Sequence, residues 1–113
     1  MNEKESIDRL VIAVVSSEDV GNLAQELIRN SFYFTRVTSQ GGLLSGELVS
    51  LLVGINSSRH AGLLDLISRC CHTRVKYIPA IDNSAFQGQP VMIEAEVGGA
   101  LIYTCEVEKF VQY

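Results

Sequence analysis

The sequence predicts an α+β fold, a two-layer sandwich of βαββαβ order with an extra terminal hairpin. Three observations predict it. The apolar run Leu10 to Val15 is followed at once by a capped amphipathic segment. A second apolar run, Leu48 to Ile55, is followed by another cap, Asn56-Ser57-Ser58, and another helical face. Between the two units lies a further strand-like run, Phe32 to Val37, and near the end Gly98-Gly99 separates two more. Strand, helix, strand, strand, helix and a closing strand pair is the ferredoxin-like arrangement.

Each element has a local cause. Leu10-Val11-Ile12-Ala13-Val14-Val15 is continuous and largely β-branched, as in a strand buried on both faces. Ser16 and Asp19 are spaced as a capping box. Val20, Leu23, Ala24, Leu27 and Ile28 then repeat at helical spacing on one face, and Arg29 brings a cation to the last turn. Phe32 to Val37, rich in aromatic and β-branched residues, reads as strand two. In the second helix Leu63, Leu64, Ile67, Cys70 and Cys71 supply the apolar face.

From His72 to Gln89 the periodicity weakens, although Val75 to Ile78 has the composition of a short strand. Asp82-Asn83-Ser84, Gly88 and Pro90 mark a long loop over 72–89, expected to be mobile. Met92 to Val97 alternates cleanly up to Gly98-Gly99, and Ala100 to Cys105 leaves it. Two glycines between apolar runs signal a tight hairpin, because both residues can take positive φ.

At 113 residues the chain is expected to be one domain, 1–113, with residues 1–9 as a flexible N-terminal extension. Apolar residues make up 47% and charged residues 19%, lean enough in charge to suggest that a partner subunit covers apolar surface. The net charge of −4 and the lack of a basic run argue against DNA or RNA binding. Three cysteines, two of them adjacent, form no disulfide framework and fit a reducing compartment. No apolar run approaches the roughly 20 residues of a membrane span. The expected location is cytoplasmic, without membrane insertion.

No catalytic constellation assembles. His60 and His72 lack an orienting partner, and adjacent Cys70, Cys71 and His72 point in different directions on a helix. Cys70-Cys71 also lacks zinc spacing, so no metal site is expected. Glu94 and Glu96, with Glu106 and Glu108 nearby, read as the solvated face of a hairpin. The stretch VTSQGGLLSG, Val37 to Gly46, stays open between a plain connection and an anion cradle. Neither standard phosphate motif occurs in it.

Several motifs together resemble those of the PII-like cyclic-di-AMP receptor proteins. They are Thr35-Arg36-x-x-Ser39-x-Gly41-Gly42-Leu43-Leu44, Val53-Gly54-Ile55, Glu94-x-Glu96-Val97-Gly98-Gly99-Ala100 and the closing Phe110-x-Gln112-Tyr113. The resemblance runs from about Leu10 to Tyr113. It implies a PII-like homotrimer that binds a nucleotide second messenger, cyclic-di-AMP or a related adenine nucleotide, in clefts between subunits. It implies a signal transducer and not an enzyme, with no cofactor and with a protein partner of unknown identity. Carried over position by position, the ligand-binding residues are Thr35, Gly41, Gly42, Leu43, Leu44, Gly54 and Gln112. Four positions differ from the family's pattern: Ser31 and Tyr33 stand where it has asparagine and arginine, Leu43 where it has a stacking phenylalanine, and Leu48 where it has asparagine. The alternative those differences raise is a trimeric protein-interaction module that has lost cyclic-di-AMP binding or takes another small ligand.

Overall fold

Leu10 to Val15 form the middle of the first strand, β1 (Arg9–Ser16), in the computed structural model, which describes residues 6–38, 48–79 and 92–113. Helix α1 (Ser17–Arg29) follows without a break. Then come β2 (Phe34–Thr38), β3 (Leu48–Ile55), a single 3-10 turn (Ser57–Arg59) and α2 (His60–Cys70). The chain closes with β4 (Thr73–Pro79), β5 (Met92–Gly98) and β6 (Ala100–Glu106). One antiparallel sheet has the order β2-β3-β1-β6, which is the ferredoxin-like order with β6 as its last strand. The fold class read from the sequence therefore stands.

The period-two alternation of the central strands decides where the core lies. Val11, Ala13 and Val15 of β1 and Val49, Leu51, Val53 and Ile55 of β3 are buried beneath the helices. Val20, Leu23 and Leu27 of α1 and Leu63, Leu66 and Ile67 of α2 meet them. Ala24 is only half-buried and Ile28 is exposed, so the α1 stripe is narrower than expected, while in α2 the half-buried Leu64 gives way to the buried Leu66, which was not expected. Cys71 is sealed into this core. Burial, with Asp19 and Cys70 nearby, pushes its thiol pKa up to about 12, so it is held as the inert neutral form.

The other face of the sheet carries Leu10, Ile12 and Val14, with Leu52 of β3 beside them and Leu101, Tyr103 and Cys105 of β6 on the far side. The expectation that β1 is buried on both faces is corrected here. The three outward β1 residues are half-buried, because the helices form one layer on one side only.

The two glycines also do something other than expected. Gly98 and Gly99 have φ of +83° and +78°, the left-handed region the sequence called for. The strands they join do not pair with each other. Met92–Gly98 pairs with β4, Thr73↔Gly98 through Pro79↔Met92, while β6 pairs with β1. The extra strand pair is thus an arm built from β4 and β5, and the glycines carry the chain from the arm into the main sheet. The first part of the stretch read as a loop over 72–89 is accordingly strand β4; residues 80–91 lie outside the described residues. Of the expected extension 1–9, residues 1–5 lie outside the described residues, and residues 6–9 are hydrogen-bonded to the end of β3 and its cap. Asp8 N–H donates to Ile55 O at 3.0 Å, and Asn56 Nδ2 donates to Ser6 O at 2.7 Å.

The base of the arm is clamped to the start of α1. Ser16 Oγ caps the helix by accepting from Glu18 N–H at 3.1 Å, but the expected capping box with Asp19 is not what this carboxylate is used for. Asp19 instead pairs with Arg74 at 3.1 Å, while Glu18 takes Lys76 at 2.9 Å and Arg74 at 3.3 Å. The Lys76 ammonium, and after it Arg74, hold the Glu18 carboxyl below its ordinary pKa. A depressed carboxylate pKa adds stability that is present above the unfolded value of 4.5 and is lost as pH falls through the folded one. Arg74→Ala is expected to raise amide exchange in β4 and β5 several-fold while β1 and β3 stay unchanged. High salt and acid below that pH should act in the same direction. Uniform exchange rates across both sheets would contradict this assignment.

Candidate functional site

The end of the sheet where β1 begins and β3 finishes opens into a groove of about 1000 Å³. Its walls come from four places. Leu10 of β1, Thr35 of β2 and Leu52 and Gly54 of β3 supply the sheet side, where register sets Thr35 opposite Leu52 and Leu10 opposite Gly54. Ser31, Phe32 and Tyr33 arrive from the turn after α1, and Asn56 and Arg59 from the turn before α2. The last wall is the C-terminal segment, with Val107, Phe110, Val111 and Gln112. That segment is held in register by Val107 N–H donating to Asp8 O at 3.1 Å.

The turn after α1 is shaped by a Schellman motif. Ser31 N–H donates to Ile28 O at 3.0 Å and Phe32 N–H to Leu27 O at 2.8 Å, while Ser31 has φ of +64°. The motif turns Phe32 inward, where it is 6% exposed and belongs to the core cluster with Leu27. It leaves Tyr33, the next residue, 81% exposed at the groove. Arg59 closes the motif from outside. Its Nη2 donates to Asn30 O at 2.7 Å and its Nη1 to Ser31 O at 3.1 Å, with the guanidinium carbon 3.9 Å from the centre of the Phe32 ring. The basic side chain also suits the negative end of the α1 dipole.

Gly54 allows the close approach at the groove floor. A Cβ there would meet the Ile7 side chain at 3.2 and 3.4 Å, so the small residue leaves room for that side chain against β3.

Of the residues carried over from the sequence resemblance, Thr35, Gly54 and Gln112 come together in this groove, from three separate parts of the chain. Gly41, Gly42, Leu43 and Leu44 lie outside the described residues. Leu48 is exposed at the head of β3 and does not line the groove. Sequence reasoning missed Arg59 and Asn56. The cap at Asn56 was legible, and its Oδ1 does accept from Ser58 N–H at 3.0 Å. Nothing in one sequence says that the arginine three residues later folds back onto α1. Arg36 lies opposite Leu51 on the helix side of the sheet, away from Thr35, as strand alternation requires.

Three of the motif residues thus share one groove, and comparison with known proteins points to the same family. Residues 8–113 match the family described as cyclic-di-AMP receptor. The chain belongs to that family. Among solved structures, the cyclic-di-AMP receptor chain is similar to a functionally unknown protein from Pediococcus pentosaceus ATCC 25745. The two share 25% identity and a TM-score of 0.71, over 95% of this chain and 98% of the other. A structure of CPII from Thiomonas intermedia K12, bound to ADP, AMP and acetate, shares the fold at 10% identity and a TM-score of 0.51, over 90% and 89% of the two chains. The PII-like reading of the sequence and the receptor family therefore coincide. Among the described residues no helix is long and apolar enough to cross a membrane, and no group of three or more side chains is placed to hold a metal ion.

Proposed function

We propose that this receptor is a homotrimeric, cytoplasmic signal transducer without catalytic activity, which binds cyclic-di-AMP or a related adenine nucleotide in clefts between subunits. The single observation that carries the reading is the convergence of Thr35, Gly54 and Gln112 in one groove. Those residues match the family's ligand positions, and Gly41, Gly42, Leu43 and Leu44 complete the proposed set. Exposed rings of Tyr33 and Phe110 offer flat surfaces to a base, while Thr35, Asn56 and Gln112 offer hydrogen bonds. The uncovered apolar sheet face beside the groove supports a subunit interface there, with Leu101 59% and Tyr103 56% exposed in the single chain. The ADP- and AMP-bound CPII shows that a related fold can hold adenine nucleotides.

Isothermal titration with cyclic-di-AMP, AMP, ADP and ATP tests the reading. At least one nucleotide is expected to bind at one site per subunit. Silence across the panel at millimolar concentration would sink it. Tyr33 in place of the family's arginine favours the second reading, a trimer that serves mainly as a protein-interaction module. In that case the arm, with Val75 and Tyr77 exposed, takes the protein partner.

A further inference from the structure

We propose that Arg59 is the anion-binding residue of the groove, holding the phosphate of a ligand whose aromatic base lies against Tyr33 and Phe110. The assignment rests on the nucleotide reading and extends it to a residue outside the family motifs.

Arg59 is the only charged side chain among the described residues that line the groove. Arg9, Arg29, Arg69 and Arg74 each have a carboxylate within ion-pair distance, whereas Arg59 has none among the described residues. A half-buried guanidinium without a counter-ion, in a groove without a carboxylate, favours an anionic occupant. Its position is also fixed before any ligand arrives. Two backbone carbonyls and the Phe32 ring hold the guanidinium plane, so little side-chain freedom is lost on binding.

That latch does not exhaust its donors. Of the five N–H groups of a guanidinium, it uses one on each terminal nitrogen. The Nε–H and a second N–H on each terminal nitrogen are left for phosphate oxygens, which a planar fork can engage in pairs. Helix capping accounts for the carbonyl contacts alone. Because Ser31 and Phe32 themselves line the groove, the same latch sets the guanidinium at its edge.

Titration of the full chain with AMP, adenosine and inorganic pyrophosphate, for the wild type, R59K and R59M, tests the assignment. The wild type should prefer AMP to adenosine. R59M should lose about ten- to a hundred-fold in AMP affinity, the weight of one charge-assisted contact, and keep its adenosine affinity. R59K should fall between them. A folded R59M with an unchanged AMP-to-adenosine ratio would overturn the proposal. Should R59M fail to fold, the Nε–H resonance of Arg59 in the wild type decides: a saturable shift on adding pyrophosphate supports the site, and a static resonance overturns it. Pyrophosphate binding without nucleotide binding would uphold Arg59 and remove the nucleotide reading. AMP binding with a static Arg59 resonance would do the reverse.

Discussion

Phe32→Ala is expected to lower stability by about 3–5 kcal/mol, the usual cost of truncating a buried aromatic residue. A small domain has only about 5–15 kcal/mol in total, so the variant should be close to unfolding at ordinary temperature. The loss has three sources at one position. Phe32 is nearly fully buried, it packs with the core at the end of the Schellman motif, and its ring carries the Arg59 guanidinium at 3.9 Å. Urea melts measure the effect, and a loss below about 1 kcal/mol would contradict this account of the turn. Phe32→Leu separates the sources. It should restore most of the apolar burial while leaving Arg59 without its platform, so stability should recover further than any anion affinity of the groove.

That turn shows what could and could not be read from sequence. The helix ahead of it was legible because Val20, Leu23 and Leu27 repeat at helical spacing, and all are buried. The strands β1 and β3 were legible as apolar runs rich in β-branched residues, but their one-sided burial was not, because apolar residues occupy the outward positions as well. Pairing was less legible. Gly98-Gly99 announced positive φ correctly, yet a turn type does not say which strands it separates. The deciding contacts were long-range: Arg74 and Lys76 reaching Glu18 and Asp19, and β6 completing the sheet beside β1. The same holds for the groove. Thr35, Gly54 and Gln112 were named from motifs, and the fold brings them together. Arg59 was invisible because its role depends on where its side chain turns, across a separation of 28 residues from Ser31, and no local pattern encodes that.

Ile12→Glu is expected to convert the proposed trimer into single subunits that keep the fold. Ile12 sits in the middle of the uncovered sheet face, with Leu52 opposite it on one side and Tyr103 on the other. Its side chain points away from the helices, and the buried core cluster does not include it. A carboxylate there is solvated in a lone subunit, so the cost to the fold should be small. In a trimer packed through this face every copy would bury one, at several kcal/mol each unless it is neutralised. Such a cost is large against ordinary association energies and should move the dissociation constant by several decades. Light scattering should give three chain masses for the wild type and one for the variant, with matching far-ultraviolet dichroism. Because the proposed cleft lies between subunits, the variant should also lose nucleotide binding although Thr35, Gly54, Arg59 and Gln112 are untouched. A trimeric Ile12→Glu would place the interface elsewhere, and a monomeric wild type would remove it. A monomeric variant that still bound nucleotide at full affinity would confine the site to the groove of one chain.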